Sequence, residues 1–338
     1  MDPAQFLTAS GVIIVAGKGG VGKTTVTAAL AVAASAVGLR TLIVEVEGKG
    51  GMSSMFSADG LAYDEVELIA AAADHAGVRA RTITPDDALL DYLGDRGLQR
   101  ISNRLVATGL LDIVATAVPG IRDILVLGKV KQLERSRDQD LILLDAPAAG
   151  HAITFLRSAS GLADAVKVGP INTQAEDVLE LLGDPGRCRV VLVTIPEETP
   201  VNELVETAYS LEDTVGVALG PVVVNGVVPD LTGLDVPPVE AAAAVGTRLL
   251  DGEAEVLSEA AAFRRARGRL QDDQLRRMAD ELPLPQLHLP FLFTTDVGPA
   301  DLEALADALL EAIRNLPDDP ASEPMSPSVS TSPSSGTS

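Results

Sequence analysis

The sequence predicts an α/β fold with a doubly wound, mostly parallel β-sheet and an inserted helical subdomain. Short apolar runs rich in β-branched residues alternate with helical stretches along the chain, and such alternation is typical of parallel sheets with helical crossovers. Six strong runs are Ile13–Ala16, Thr41–Val46, Leu141–Asp145, Val190–Ile195, Val222–Asn225 and Gln286–Leu289, and a weaker seventh is Val78–Ile83. In a sheet of this kind, ligands bind at the carboxyl ends of the strands.

The chain is expected to form one domain over residues 1–316, followed by a disordered tail over residues 317–338. The region of about 61–132 is poor in strong strands and contains the helical segments Asp86–Leu93 and Leu98–Ala115, which predicts a helical insertion beside the ligand site. Asp301–Arg314 predicts a final, acidic helix. The tail is rich in Ser and Pro and lacks apolar residues to bury.

Composition restricts the partners of this chain. Its formal net charge is −22, so a nucleic-acid phosphate backbone would be repelled, and we expect no nucleic-acid partner. A basic stretch from Arg264 to Arg277 alternates with acids, which favours a solvated helix face or a contact with another protein.

The expected location is the cytoplasm. No apolar run reaches the ~18–20 residues that cross a bilayer, so no integral membrane segment is expected. The start, MDPAQFLTAS, has no basic region of the kind that begins a signal peptide. The single cysteine, Cys188, begins an apolar strand and is expected to be a small core residue.

The strongest functional pattern is GKGGVGKTT at Gly17–Thr25, which fits the P-loop pattern G-x-x-x-x-G-K-[ST]. Glycines tolerate the positive φ angles that let successive N–H groups wrap a phosphate. Lys23 is predicted to contact the β- and γ-phosphates and the Thr24 hydroxyl to bind Mg²⁺. An apolar strand precedes the motif, and a helical stretch to Val37, capped by Gly38, follows it.

Two further strand ends carry acidic residues. Leu141–Asp145 is an apolar run that ends in an acid, the Walker B form, and Asp145 is predicted to hold the Mg²⁺ water shell. The small residues that follow lead to His151, for which a switch role is favoured over an ordinary surface position. Glu45 and Glu47 close the second strand, which is expected beside the P-loop strand, where they could orient water or simply be solvated.

With these motifs the chain resembles the arsenite-pump and tail-anchored-protein-targeting ATPases, which have a deviant P-loop, from about residue 10 to residue 316. LLDAPAAGH is similar to the family's D-T-A-P-T-G-H segment, so that Asp145, Gly150 and His151 carry over. VTIPEE, with Glu203 and Glu206 downstream, resembles the family's V-T-x-P-E segment and the helix that follows it. VVVNG and LPFLFTTDVGPADLEAL resemble the segments that recognise and cover adenine.

The resemblance implies a dimeric ATPase that uses ATP and Mg²⁺. Lys18 is then the lysine that reaches the nucleotide of the partner subunit, and Asp145 and Thr24 serve the metal, Asp145 through water. The residues implied in nucleotide binding are Gly17, Gly19, Gly20, Val21, Gly22, Lys23, Thr24, Thr25, Asn225, Pro290 and Phe291.

The chain also departs from the family pattern. Glu47 stands where the family's D-P-A-H switch has its water-activating aspartate, and it is our candidate to orient the attacking water. The metalloid-binding cysteines, the C-x-x-C zinc clasp and room for a methionine-rich client insertion are all missing. With VEVEG and a compact insertion, the chain most resembles the paired actinobacterial members, so the dimer is expected to be homotypic or built with a paralogous subunit.

We therefore predict a slow dimeric ATPase whose opening and closing acts on an unknown client. One alternative is an ATP-binding regulatory subunit with little turnover of its own, because the switch aspartate is replaced. Another is a partitioning or septum-positioning ATPase, which would need a basic surface or a basic amphipathic C-terminal helix. An iron protein is disfavoured because a single cysteine cannot ligate a cluster.

Overall fold

A computed structural model of the chain describes residues 1–46, 51–95, 97, 100 and 120–317, without the side chains of residues 148–151 and 170. The described strands are β1 (Val12–Gly17), β2 (Thr41–Val46), β3 (Val66–Ile69), β4 (Val78–Ile83), β5 (Leu141–Ala148), β6 (Cys188–Thr194), β7 (Val222–Val227) and β8 (Gln286–Pro290). The described helices are α1 (Pro3–Thr8), α2 (Lys23–Ala36), α3 (Gly51–Met55), α4 (Pro85–Asp95), α5 (Ile121–Ser136), α6 (Ala149–Ala165), α7 (Pro170–Gly183), α8 (Glu198–Val215), α9 (Pro238–Ala244), α10 (Glu253–Glu281) and α11 (Pro299–Arg314).

The eight strands form one sheet in the order β3-β4-β2-β5-β1-β6-β7-β8. Every pairing is parallel except that of the edge strand β3 with β4, so the predicted doubly wound, mostly parallel sheet is confirmed. The prediction that the second strand is adjacent to the P-loop strand was wrong: β5 lies between β1 and β2, and Glu45 lies within β2. The order of strands in the sequence does not reveal this, because a strand that comes later in the chain can pair between two earlier ones when crossover helices connect them.

Two apolar layers cover the sheet. One face packs against α4, α5, α6, α7 and α8, and the other packs against α1, α2, α3 and α11. The central strands β1 and β2 are buried along their whole length, which explains why they read as continuous apolar runs and not as alternating patterns. Cys188 begins β6 and is fully buried, as the sequence predicts.

The predicted insertion of about 61–132 contains more sheet than the sequence indicates. β3 and β4 lie within it and pair with the main sheet, and α4 agrees with the helix predicted at Asp86–Leu93. α5 begins at Ile121 and packs in the same apolar layer as α4. The helix predicted at Leu98–Ala115 lies outside the described residues, as do residues 318–338 of the predicted tail, so both stay predictions.

The connection between β7 and β8 is largely exposed. It contains α9 and the 29-residue helix α10, in which only Gln271 and Met278 are buried. By contrast α11, the predicted final helix, buries Leu302, Leu305 and Leu309 in the layer that contains α2. Among the described residues no helix has the length and apolar character needed to cross a membrane.

Candidate nucleotide-binding site

The loop from Gly17 to Gly22 joins β1 to α2, and several of its positions have a backbone conformation or a close contact that requires glycine. A Cβ atom on Gly17 would lie 2.3 Å from the carbonyl oxygen of Val193 in the neighbouring strand β6. Gly20 and Gly22 have φ angles of 89° and 88°, which L side chains rarely adopt. The loop therefore has the backbone of a phosphate cradle, with Gly19 and Gly20 exposed at its rim.

Asn225 supports this loop from behind. Its Nδ2 atom donates a hydrogen bond to the Val21 carbonyl oxygen at 3.0 Å, and a Cβ on Gly22 would lie 2.3 Å from the same Nδ2 atom. The sequence placed Asn225 at adenine by resemblance, but nothing in it indicated a contact with the P-loop. Through this hydrogen bond, the strand expected near the adenine base contacts the loop expected to bind the phosphates.

Lys23 begins α2 and is folded back along the loop. Its side chain is only 7% exposed, and Nζ donates a hydrogen bond to the Lys18 carbonyl oxygen at 3.0 Å. Lys23 lies at the N-terminus of α2, so the positive charge of its side chain adds to the positive potential of the free N–H groups at that helix end. Thr24 and Thr25 follow in the first helical turn.

Thr24 and Asp145 come together at the carboxyl ends of β1 and β5. The Thr24 hydroxyl donates to Oδ2 of Asp145 at 2.8 Å, and Asp145 is 1% exposed. The parallel register pairs Asp145 with Val15, two residues before the loop, which brings the acid beneath the start of α2. A hydroxyl and a carboxylate of this kind fit the oxygen ligands that Mg²⁺ prefers.

Glu45 is a second buried acid next to this pair. It lies in register with Asp145 on the neighbouring strand β2, and it is also 1% exposed. Residues paired across neighbouring strands place their side chains on the same face of the sheet, and strands lie roughly 5 Å apart. The Thr82 hydroxyl donates to Oε2 of Glu45 at 3.3 Å, whereas Oε1 has no hydrogen-bond partner within the described chain.

Three residues of the predicted switch segments cannot be placed in detail. Glu47, the candidate to orient water, lies outside the described residues. Gly150 and His151 lie in the first turn of α6, directly after β5, and their side chains are not described. Their proposed roles stay predictions.

Lys18 is held by a residue of its own chain. Its Nζ donates to Oε1 of Glu203 in α8 at 2.5 Å, and both side chains are partly exposed. The sequence pointed to Glu203 only as part of a family segment, without a partner. The contact arises because β6 is the neighbour of β1 in the sheet and leads directly into α8, which therefore begins beside the loop that follows β1.

Asn225, Pro290 and Phe291 gather at the carboxyl ends of the neighbouring strands β7 and β8. Pro290 pairs with Val227, and the Phe291 N–H donates to the Val227 carbonyl oxygen at 2.9 Å. The Phe291 ring is exposed and packs edge-on against Phe293, with 4.9 Å between the ring centroids. An exposed aromatic pair beside a phosphate loop can stack on a planar base.

A parallel sheet with a glycine cradle, a buried lysine and an acid bonded to the loop threonine defines a P-loop nucleotide-binding protein. Residues 10–169 match the model of the anion-transporting ATPase family. The ATPase BagA of Mycobacterium tuberculosis is 35% identical over 231 residues, covering 64% of this chain and 65% of the relative. The ATPase get3 of Neurospora crassa is 28% identical over 206 residues, covering 60% of this chain and 57% of the relative.

Residues 10–169 are thus similar to the anion-transporting ATPase family, and the predicted resemblance is confirmed. The mycobacterial relative agrees with the predicted similarity to actinobacterial members. The matched region spans about two thirds of the length of that relative and a little over half of the fungal one.

Proposed function

We propose that this chain is a dimeric ATPase that hydrolyses ATP to ADP and phosphate with Mg²⁺ and couples the reaction to opening and closing of the dimer. The observation that carries the proposal is the contact of Thr24 with Asp145 beneath a loop whose lysine is buried and directed along it. A hydrogen bond between a hydroxyl and a carboxylate is by itself common in proteins. Here it lies at the end of a loop whose glycines have positive φ angles, as a phosphate-binding loop requires.

Each residue has a separate task in this proposal. The loop N–H groups and Lys23 hold the phosphates, and Thr24 binds the metal while Asp145 orders its water ligands. Asn225, Pro290 and Phe291 hold the base. Glu47 orients the attacking water. Mg²⁺, when bound, supplies charge neutralisation of the phosphate oxygens.

Glu45 extends the acidic part of this site. Two buried carboxylates that are paired in register on neighbouring strands repel each other, and a bound cation would offset this repulsion. We assign Glu45 as a second acid that orders the metal's water shell, because its Oε1 atom has no partner in the described residues. Glu45→Gln, which keeps the shape, should weaken Mn²⁺ binding about 10–100-fold, as loss of an outer ligand does.

Electron paramagnetic resonance titration with Mn²⁺ measures this directly, without any turnover. The matched control is Glu67→Gln on the exposed edge strand β3, which should bind Mn²⁺ like the unchanged chain. Equal affinity of Glu45→Gln and the control would remove Glu45 from the site.

Lys18 is the proposed link between subunits. Within one chain it pairs with Glu203, so it is held at the edge of the site. In the closed dimer it would leave Glu203 and neutralise charge on the partner's nucleotide. An exposed pair of this kind is worth only about 0.2–1 kcal/mol, so nucleotide in the partner can displace Glu203 at small cost.

The decisive experiment is steady-state ATP hydrolysis by the purified chain, by Lys18→Ala and by Glu47→Gln, with light scattering of the same samples with and without ATP and Mg²⁺. Turnover that is lost in both variants, with an assembly state that changes when ATP and Mg²⁺ are added, supports a cross-subunit ATPase. If all three proteins bind ATP and none turns it over, the hydrolytic function is wrong.

The second candidate is an ATP-binding subunit with little turnover of its own, acting beside a paralogous subunit. Replacement of the family's aspartate by Glu47 favours it. Addition of such a subunit would then restore turnover to a mixture in which this chain binds ATP.

A partitioning or septum-positioning ATPase is the third possibility, but no observation favours it. The apolar face of α11 is buried against the body, so this helix has no free face for a membrane. The client, and a location in the cytoplasm, are not indicated by any contact in the described residues and stay expectations.

A further inference from the structure

The long helix α10 carries an apolar stripe that nothing in the described chain covers. Val256, Phe263 and Leu270 follow each other at intervals of seven residues and are 66%, 76% and 60% exposed. At 3.6 residues per turn, this spacing puts the three side chains on nearly the same side of the helix, over a length of about 21 Å. We call these three residues the α10 stripe.

The residues by which α10 packs on the body are not those of the stripe. The helix attaches through Gln271, whose amide bonds both the N–H and the carbonyl of Val228, and through buried Met278. Arg264 donates to the Pro229 carbonyl oxygen and Arg267 pairs with Glu197, so the middle of the helix is also anchored. The apolar stripe is therefore exposed on a helix that contacts the body through other residues.

The seven-residue period is the pattern by which helices pair along a seam. Because Phe263 lies midway between Val256 and Leu270, an antiparallel copy of the same helix would match the stripe to itself. Phe263 would meet Phe263 on the two-fold axis, and Val256 of each copy would meet Leu270 of the other. Self-complementarity of this kind is what an isologous contact requires.

The charges on α10 select the same orientation. Glu255 and Glu259 lie before Phe263, whereas Arg265 and Arg269 lie after it. An antiparallel pair brings the acids of one copy towards the arginines of the other. A parallel pair would align acids with acids and arginines with arginines, which is unfavourable.

Small side chains surround the central aromatic residue. Ala260, Ala262 and Ala266 flank Phe263 within one turn on either side. In a helix pair they would leave room for the two phenylalanine rings and let the helix axes approach to about 8–10 Å. The segment thus combines an apolar seam, opposed charges and space for close packing.

We propose that the α10 stripe is a self-association surface, at which α10 of a second copy of this chain packs antiparallel with the two Phe263 side chains at the centre. This inference names a surface for the dimer of the proposed function but needs no nucleotide. It is therefore tested without ATP, so that a chain inactive as an ATPase can still confirm it.

Sedimentation velocity over a concentration series measures the association. Phe263→Ala should weaken dimer formation roughly a hundredfold, because two copies of a buried phenylalanine are lost per dimer. The matched control is Val168→Ala in the loop between α6 and α7, a similarly exposed apolar residue that should have no effect. A chain that stays monomeric at every concentration, or dimers unchanged by Phe263→Ala, would overturn the proposal.

Cross-linking tests the orientation. Val256→Cys and Leu270→Cys variants, mixed and treated with a short bis-maleimide, should form far more cross-linked dimer than either variant alone. The native thiol does not interfere, because burial raises the pKa of Cys188 to about 12 and leaves it inaccessible. Ser258→Cys, on the opposite side of α10, serves as the control. Efficient cross-linking of each variant with itself would indicate a parallel pair and contradict the antiparallel one.

Discussion

The phosphate-binding edge and the β7–β8 connection lie side by side but are built in opposite ways. At the phosphate edge, the lysine Lys23 and the acids Asp145 and Glu45 are buried, and each acid lies on a strand that has neighbouring strands on both sides. In the β7–β8 connection, a 29-residue helix exposes large apolar side chains and touches the body at few points. In this protein, polar groups are buried where we expect a small charged ligand to bind. Large apolar groups are exposed where we expect another protein chain to bind.

The largest expected difference between the two regions is in folding stability. Leu143→Ala in β5 removes a fully buried side chain from the centre of the sheet and should lower the free energy of unfolding by about 2–5 kcal/mol. Leu257→Ala in α10 removes an exposed side chain and should change it by less than about 0.5 kcal/mol. Urea denaturation at low protein concentration compares the two variants, and similar losses would contradict the contrast between the regions.

A smaller effect distinguishes two acids at opposite ends of β5. Asp145→Asn should weaken Mn²⁺ binding about 10–100-fold while the fold persists, because the Thr24 contact can be kept by the amide oxygen. Asp140→Asn, just before the same strand, is the control and should bind Mn²⁺ normally. Paramagnetic titration of both variants checks the assignment, which equal losses in the two would refute.

The smallest expected effect is a pH dependence at that control residue. The Arg40 guanidinium, which hydrogen-bonds to Asp140, holds the pKa of this carboxyl below its usual value of 3.8. A lowered pKa in the folded state means that the pair stabilises the fold above about pH 4 and that this contribution is lost as pH falls through the lowered pKa. Urea midpoints of the unchanged chain and Asp140→Asn should thus differ at neutral pH and converge in acid.

Much of the fold followed from local patterns. All seven predicted strands are present. The central parallel strands are buried on both faces and therefore apolar along most of their length, which leaves a strong signal. β3 was not predicted, since Val66–Ile69 is short and partly exposed at the edge of the sheet. The P-loop could also be predicted from the sequence, because its positive φ angles and close backbone contacts favour glycine over all other residues.

The sequence by itself determined the class of sheet, the phosphate loop and the acid at the end of β5, since each leaves a local pattern of residues in the chain. Only the tertiary structure decided that β5 separates β1 from β2, that Asn225 bonds the loop and that Glu203 holds Lys18. These contacts join residues about 180 to 200 positions apart. The exposure of the α10 stripe likewise became visible only once the rest of the chain was in place, because an apolar heptad reads the same whether it is covered or free.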